Sequence, residues 1–280
     1  MSFINFNGEI HQDTEPLLTV GNRSFMYGDG FFETMAYMNG SLLLYQWHEA
    51  RIKRSFKMLM AHAATLKVVS DLPYLVKQLA DKNRYVNARV RVQFYRMGEG
   101  WYTPQSSQFG YVITMQPLPH ASFTTAPVNK VGVYPEYKPN ATFGTIKSAS
   151  SLYYVMAGNW ARLHHFDDLI ICTEQGNSKW VCEAVSSSIM VAKHDALLYP
   201  SSQLGQVHGV LHQTVLDLLS EQFKLVESYI SADELNTANE VLLLNAVRGV
   251  RYVVNMNGRT LTGTMANRLN EALNSALGLI

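Results

Sequence analysis

Four places in this 280-residue chain combine residue type and spacing in a way that could do chemistry. The first is Lys147, in Thr145-Ile-Lys-Ser-Ala-Ser, between a strand or loop and a helix expected to begin near Ser150. A lysine at the edge of an element, among small and apolar neighbours, can be partly desolvated. Desolvation lowers its pKa and frees the amine for Schiff-base chemistry, although a lone lysine is far more often a surface cation. The second is Glu183, in Trp180-Val-Cys-Glu-Ala-Val-Ser-Ser-Ser, a single carboxylate between apolar residues and a serine triplet. If buried it needs a cationic or hydrogen-bonding partner, and the protonated nitrogen of a pyridine ring is one. If exposed it is a strand-end acid facing water.

The third is Gln206-Val-His-Gly-Val-Leu-His, where a glycine opens a helix and leaves the backbone N–H groups of Val210 and Leu211 available. Such a start is an anion site through its donors and dipole, though many helices start with glycine and bind nothing. The fourth is Arg51, on an early helix in His48-Glu-Ala-Arg-Ile-Lys-Arg. Its guanidinium suits bidentate phosphate binding, but spacing alone does not rank it above Lys53 or Arg54. A further stretch, Ser24-Phe-Met-Tyr-Gly-Asp-Gly-Phe-Phe-Glu-Thr, reads as a tight hairpin turn before a strand, with its aromatics in the core. Dinucleotide and phosphate loops and nucleophile elbows are missing from the sequence, and adjacent His164 and His165 do not share a helix face as a metal pair would.

These groups need elements to hold them. Val90, Val92 and Phe94 alternate with Arg89, Arg91 and Gln93, the period of a half-buried strand. Further strands are expected at Tyr111–Met115, Val131–Tyr134, Leu169–Cys172, Ser188–Val191 and Val241–Leu244. Helical spacing links Ile52, Phe56 and Leu59, and then Leu75 and Leu79 in a helix opened by Ser70, Asp71 and Pro73. It recurs in Leu152, Met156, Trp160 and Leu163, in Leu211, Val215 and Leu218, and in Leu269, Leu273 and Leu277. The stretch Pro117–Pro127, with three prolines, makes a poor element interior. An α+β chain of two domains is therefore expected: a small α+β domain over 1–120, a linker over 121–127 and a larger strand-rich domain over 128–280. A ligand cleft would lie between them.

Composition bounds the function. The chain is 47% hydrophobic and 16% charged, which excludes disordered and low-complexity classes. A net charge of +1 gives no field to draw it onto nucleic acid. No apolar run approaches the ~20 residues needed to cross a bilayer, and no basic start followed by an apolar stretch marks a secretory signal. Cys172 and Cys182 form no metal-type cluster, so a reducing, cytoplasmic setting and no metal are expected.

In this order and at these separations, the segments resemble fold-type IV pyridoxal-phosphate enzymes, the class IV aminotransferase family. That family includes branched-chain and D-amino-acid aminotransferases and 4-amino-4-deoxychorismate lyase. Tyr27-Gly-Asp-Gly-Phe-Phe-Glu-Thr looks like its early motif, Arg51 like its phosphate arginine, and Lys147 falls where its Schiff-base lysine belongs. Asp168-Leu-Ile-Ile ahead of Glu183-x-x-Ser-Ser looks like the strand leading to the pyridine-nitrogen carboxylate, and Gly209-Val-Leu-His resembles its Gly-Ile-x-Arg helix start.

The resemblance implies a small α+β domain beside a larger pseudo-barrel, and a homodimer. It implies pyridoxal 5'-phosphate held by Lys147, Arg51, Glu183, Ser187, Val210 and Leu211, with Lys147 catalytic. Tyr27, Phe32, Arg96 and Asn245 would face the substrate. There are departures. Asn245-Ala246 replaces the aminotransferases' Gly-Thr pair and looks like the lyase branch, as does Arg91-Val-Gln-Phe-Tyr-Arg-Met-Gly-Glu-Gly. Ser150-Ser151 replaces an Asn-Tyr pair, and Ala184 and Ser188 replace a Gly and an Asn. The implied reaction is conversion of 4-amino-4-deoxychorismate to p-aminobenzoate and pyruvate, with Arg96 on a substrate carboxylate. The alternatives are an aminotransferase acting on branched-chain or D-amino acids with 2-oxoglutarate, or a non-catalytic member that keeps only the fold.

Overall fold

The computed structural model describes residues 2–140 and 142–280. The chain divides into two compact units, Met1–Ala121 with Ile146–Ser151, and Ser122–Thr145 with Leu152–Ile280. Lys147 therefore belongs to the first unit, although it follows most of that unit in sequence by some distance.

The first unit contains β1 (Phe3–Phe6), β2 (Glu9–Gln12), α1 (Arg23–Tyr27), β3 (Gly30–Met38), β4 (Ser41–Leu42), α2 (Tyr45–Met58), α3 (Lys67–Asn83), β5 (Ala88–Arg96) and β6 (Phe109–Pro117). Its strands form a six-stranded sheet in the order β2-β1-β6-β5-β3-β4, antiparallel at every pairing. In β5, Ala88, Val90, Val92 and Phe94 are buried while Arg89, Arg91 and Gln93 lie at the half-exposed face, as their alternation predicts. They pack with Phe31, Met35, Ile52, Phe56, Leu72, Val76 and Leu79 into one core.

Two local expectations need correction. The helix carrying Leu75 and Leu79 starts at Lys67, after a single 3-10 turn at Ala63–Leu66, and Pro73 lies inside it. Proline has no N–H to give to the carbonyl of Val69. The Tyr45 hydroxyl donates to that oxygen instead, so the interior proline leaves no orphaned acceptor there. The Gly-Asp-Gly stretch is not a hairpin turn. Gly28 ends α1 in the left-handed conformation at φ 65°, and Gly30 opens β3 where a Cβ would lie 2.2 Å from the Phe94 carbonyl oxygen. Of its aromatics, Phe31 enters the core but Phe25 faces solvent.

The second unit contains β7 (Ala126–Val133), α4 (Leu152–Leu163), β8 (Asp168–Gln175), β9 (Ser178–Ala184), β10 (Ser188–Lys193), β11 (Ala196–Pro200), α5 (Val210–Leu219), β12 (Lys224–Ser228), β13 (Glu240–Asn245), β14 (Gly249–Met256), β15 (Arg259–Thr260) and α6 (Thr264–Ala276). Nine strands form one sheet, ordered β12-β11-β10-β13-β14-β7-β8-β9 with β15 on β14. The β11/β12, β7/β14 and β7/β8 pairs are parallel and the others antiparallel. Strand β7 begins at Ala126, so the proline-rich stretch ends inside a strand.

The core of this unit gathers Ile170, Cys172, Val181, Val191, Val241, Leu243 and Val253. Both cysteines are buried and unpaired. Helix α4 buries Ala157 and Ala161 and leaves Leu152, Val155, Met156 and Leu163 exposed. Its apolar spacing thus marks a helix whose larger side chains face outward. Among the described residues no helix is long and apolar enough to cross a membrane.

Candidate active site

The first unit builds its polar centre on β3 and α2. Glu33 on β3 is fully buried, and both its oxygens are taken. Arg51 Nε donates to Oε1 at 2.7 Å and Arg51 Nη2 to Oε2 at 2.6 Å. His48, one helical turn before Arg51, places Nδ1 2.8 Å from Oε2. Burial draws the Glu33 carboxyl up, but Arg51 and then His48 outweigh it and hold it at about 2. Burial pushes the His48 imidazole below its ordinary value against the pull of Glu33, and its Nε2 is enclosed with no partner.

Lys147 lies along β3. The Phe32 N–H donates to its carbonyl at 2.9 Å, and Ser148 bridges Phe31. Its Nζ sits 4.7 Å from the centroid of the Phe32 ring, which also carries the Arg91 guanidinium at 3.7 Å. Phe32, expected at the substrate, is also a platform beneath two cations. A second cluster joins Asp29 to two arginines. Arg23 Nε donates to it at 2.8 Å, and Arg96 Nε reaches both of its oxygens at 3.1 and 3.0 Å. Arg96 Nη2 donates to the Leu59 carbonyl at 2.8 Å, which leaves Nη1 as the amino group bonded to neither. Tyr27, at the end of α1, stacks obliquely on Tyr102 with ring centroids 5.7 Å apart.

The second unit builds its polar centre on Glu183 of β9, buried beside a cation that sequence reasoning passed over. Lys138 Nζ lies 2.5 Å from Glu183 Oε1 and also donates to the carbonyls of Gly205 at 2.9 Å and Gly144 at 3.2 Å. The Tyr154 hydroxyl donates to the same Oε1 at 2.8 Å. Burial and the adjacent Glu183 push that phenol far up, so it stays a donor. Among the described residues, only the Val207 N–H, at 3.3 Å, reaches Glu183 Oε2. No signal in the sequence separated Lys138 from a surface lysine.

Further along, α5 starts at Val210 with Gly209 as its N-cap and no side chain capping it. A Cβ on Gly209 would lie 2.0 Å from Ser188 Oγ, so only glycine brings this backbone so close. Val210 and Leu211 are buried. In the turn after β13, Asn245 donates through Nδ2 to the Ser186 carbonyl at 2.7 Å, and its Oδ1 accepts the Val247 N–H at 2.9 Å. Ser187 is buried, and its hydroxyl lies 3.4 Å from Arg251 Nη2, which is also 3.5 Å from Asp168. His212, where the family start has an arginine, is pushed down to about 4 by burial.

Within each unit the donor set suits pyridoxal phosphate. One offers a lysine amine. The other offers a buried carboxylate with a nearly unused oxygen, and a glycine-led helix start with its first N–H groups uncapped, the arrangement that holds a phosphate. These features, on this fold, define a fold-type IV pyridoxal-phosphate enzyme. The amino-transferase class IV family model matches residues 30–256, and the chain belongs to that family, whose members use pyridoxal phosphate.

Its relatives fall on both sides of the family's chemistry. It is 25% identical to the D-alanine aminotransferase of Bacillus licheniformis, over 97% of this chain and 94% of that one. It is 24% identical to the aminodeoxychorismate lyase of Bacillus subtilis, over 85% and 83%. The branched-chain amino acid aminotransferase of Escherichia coli superposes with a TM-score of 0.86 at 18% identity, covering 99% of this chain and 94% of that one, and so shares the fold.

Proposed function

We infer that the protein is a lyase that converts 4-amino-4-deoxychorismate to p-aminobenzoate and pyruvate. The observation that carries this reading is Asn245-Ala246 at the end of β13. The aminotransferases typically place a hydroxyl there for the phosphate, whereas Asn245 is folded onto the Ser186 carbonyl and its own turn. Pyridoxal phosphate, when bound, supplies an aldehyde that joins amines and a ring that withdraws electrons from the reacting carbon.

The chain's own residues do the rest. Lys147 anchors the cofactor through its amine and, once released, removes the C4 proton of the substrate. With that proton gone, the C3–O bond would break, the ring would become aromatic, and the departing enolpyruvate would take up a proton to become pyruvate. Glu183 would stand at the ring nitrogen and favour its protonated form. In the first unit Arg51 would offer its guanidinium to a phosphate; in the second the N–H groups of Val210 and Leu211 would do so, with Ser187 beside them. In the first unit Tyr27 and Phe32 would face the substrate, and in the second Asn245 would do so through the turn that its amide holds. Arg96, fixed by Asp29, would offer Nη1 to one of the substrate's two carboxylates. The protein would work in the cytoplasm as a homodimer. The exposed Leu152, Val155, Met156 and Leu163 of α4 support the second copy.

One relative favours a second reading. The similarity to a D-alanine aminotransferase over almost the whole chain supports transamination by the same residues. The test is to purify the protein and record the visible absorbance of lysine-bound cofactor, with Lys147→Ala in parallel. The band is expected in the wild type and absent in Lys147→Ala, and turnover should fall by several orders of magnitude. An unchanged band overturns the anchor. Supplied with aminodeoxychorismate, the wild type should release p-aminobenzoate and pyruvate. Glutamate formed from D- or branched-chain amino acids and 2-oxoglutarate, without p-aminobenzoate, would select the transaminase.

A further inference from the structure

Lys138 is as deeply buried as Glu183, and its surroundings are built for it. Its backbone N–H donates to the Cys172 carbonyl at 2.9 Å, and its own carbonyl accepts the Thr173 hydroxyl at 2.7 Å, so β8 fixes the residue at both ends. An ammonium has three donors, and here Glu183 Oε1, Gly144 O and Gly205 O take all of them. The two carbonyls converge because residue 144 is glycine. A Cβ there would lie 2.7 Å from the Gly205 carbonyl oxygen and 3.5 Å from Lys138 Cε. Gly205 itself needs the left-handed region, at φ 70°. With every donor engaged, and in contact with the carboxylate assigned to the ring nitrogen, this amine is not a rival to Lys147. The cofactor's aldehyde lies on the opposite side of the ring from that nitrogen.

We propose that Lys138 is a positioning residue for Glu183, orienting the carboxylate and sharing its charge. The inference rests on the assignment of Glu183 to the ring nitrogen. Lys138 and Tyr154 both take Oε1. Oε2, contacted among the described residues only by the Val207 N–H, is therefore the oxygen turned to the ring. The charge has a second effect. A carboxylate already paired with an ammonium attracts a ring proton less than an unpaired one does. The electron-withdrawing strength of the bound ring is thus set by Lys138 and Glu183 together.

The test follows the ring nitrogen itself. The holoenzyme is reconstituted with ring-15N pyridoxal 5'-phosphate, and the 15N shift is followed against pH in the wild type, Lys138→Gln, Lys138→Met, Lys138→Arg and Glu183→Gln. Folding of each is checked by near-UV circular dichroism. Lys138→Gln keeps donors for the two carbonyls and removes the charge; Lys138→Met removes both, and either folded variant decides the matter. Loss of the charge should raise the midpoint of ring protonation by at least about one pH unit. Lys138→Arg should return it toward the wild type, and Glu183→Gln should lower it. An unchanged midpoint in the charge-free variants, with Glu183→Gln still shifted, overturns the role of Lys138 alone. An unchanged midpoint in Glu183→Gln overturns the assignment of Glu183 and, with it, the proposal.

Discussion

Glu33 and Glu183 pose the same physical problem in the two units and solve it differently. Each is a buried strand carboxylate with a cation at its side: Arg51 at 2.6 Å for Glu33 and Lys138 at 2.5 Å for Glu183. Arg51 meets Glu33 edge to edge, one guanidinium nitrogen per oxygen, and His48 adds a third bond. That cluster is closed. Lys138 is a point charge and can satisfy only one oxygen of Glu183, turning its other donors to backbone carbonyls. That cluster has an acceptor to spare. The difference between a fork and a point separates a carboxylate that holds an arginine in place from one that can receive a ligand. It also bears on Arg51, whose guanidinium is oriented by Glu33.

Removing each carboxylate's charge should expose the contrast most strongly. Glu33→Gln leaves Arg51 buried beside an amide that cannot neutralise it, a change expected to cost about 3–5 kcal/mol. Glu183→Gln leaves Lys138 its two carbonyl partners and should cost roughly 1–3 kcal/mol. Urea midpoints of the two variants check the ordering. Equal losses, or a larger loss at Glu183, would mean that the second cluster is as closed as the first.

Acid should act on the two buried groups Glu33 and His212 in different pH ranges. The Glu33 carboxyl is held at about 2, below its ordinary 4.5. A carboxyl so depressed contributes stability that is full above about pH 4.5 and is lost as the pH falls toward 2. His212, in the second unit, is held at about 4 by burial, below its ordinary 6.5. Its neutral ring contributes fully above 6.5 and loses that contribution as the pH falls toward 4, on the order of 3 kcal/mol. Urea midpoints at a series of pH values should therefore decline first between 6.5 and 4. His212→Gln should reduce the decline in that upper range, leaving the share that belongs to the buried His48 of the first unit, and leave the fall below 4.5 intact. A decline unaltered by His212→Gln would remove His212 from the account.

Residue chemistry and period made the first unit's β5 and the start of α5 legible in the sequence. Alternation at Val90–Phe94 and a glycine before Val210 are local signals, and local structure follows them. The start of α3 was not legible because the cost of Pro73 is met at a distance, by a hydroxyl from α2. Gly28-Asp-Gly30 misled for a related reason. The left-handed glycine that a hairpin would use also ends a helix, and the choice depends on Asn22, whose side chain caps α1 from the other end. Lys138 was hidden because its burial comes from two glycine carbonyls, one of them 61 positions after the other. No spacing rule relates such groups. The cationic partner that Glu183 requires was foreseen as a ligand ring, and the chain supplies one of its own.

The smallest expected effect tests how far Glu183 depends on its neutral partner. Tyr154→Phe removes the hydroxyl from Oε1 but keeps the aromatic ring, whose centroid lies 5.4 Å from Lys138 Nζ. Because Lys138 still contacts that oxygen, the loss should be about 1 kcal/mol, the ordinary worth of one hydrogen bond. The ring-nitrogen midpoint should move up by less than it does in the Lys138 variants, since a neutral donor is withdrawn rather than a charge. The same urea and 15N titrations measure both quantities. If Tyr154→Phe moves the midpoint as far as Lys138→Gln does, the phenol and not the ammonium governs Glu183, and the contrast with the Arg51 cluster has to be redrawn around a hydrogen bond instead of a charge.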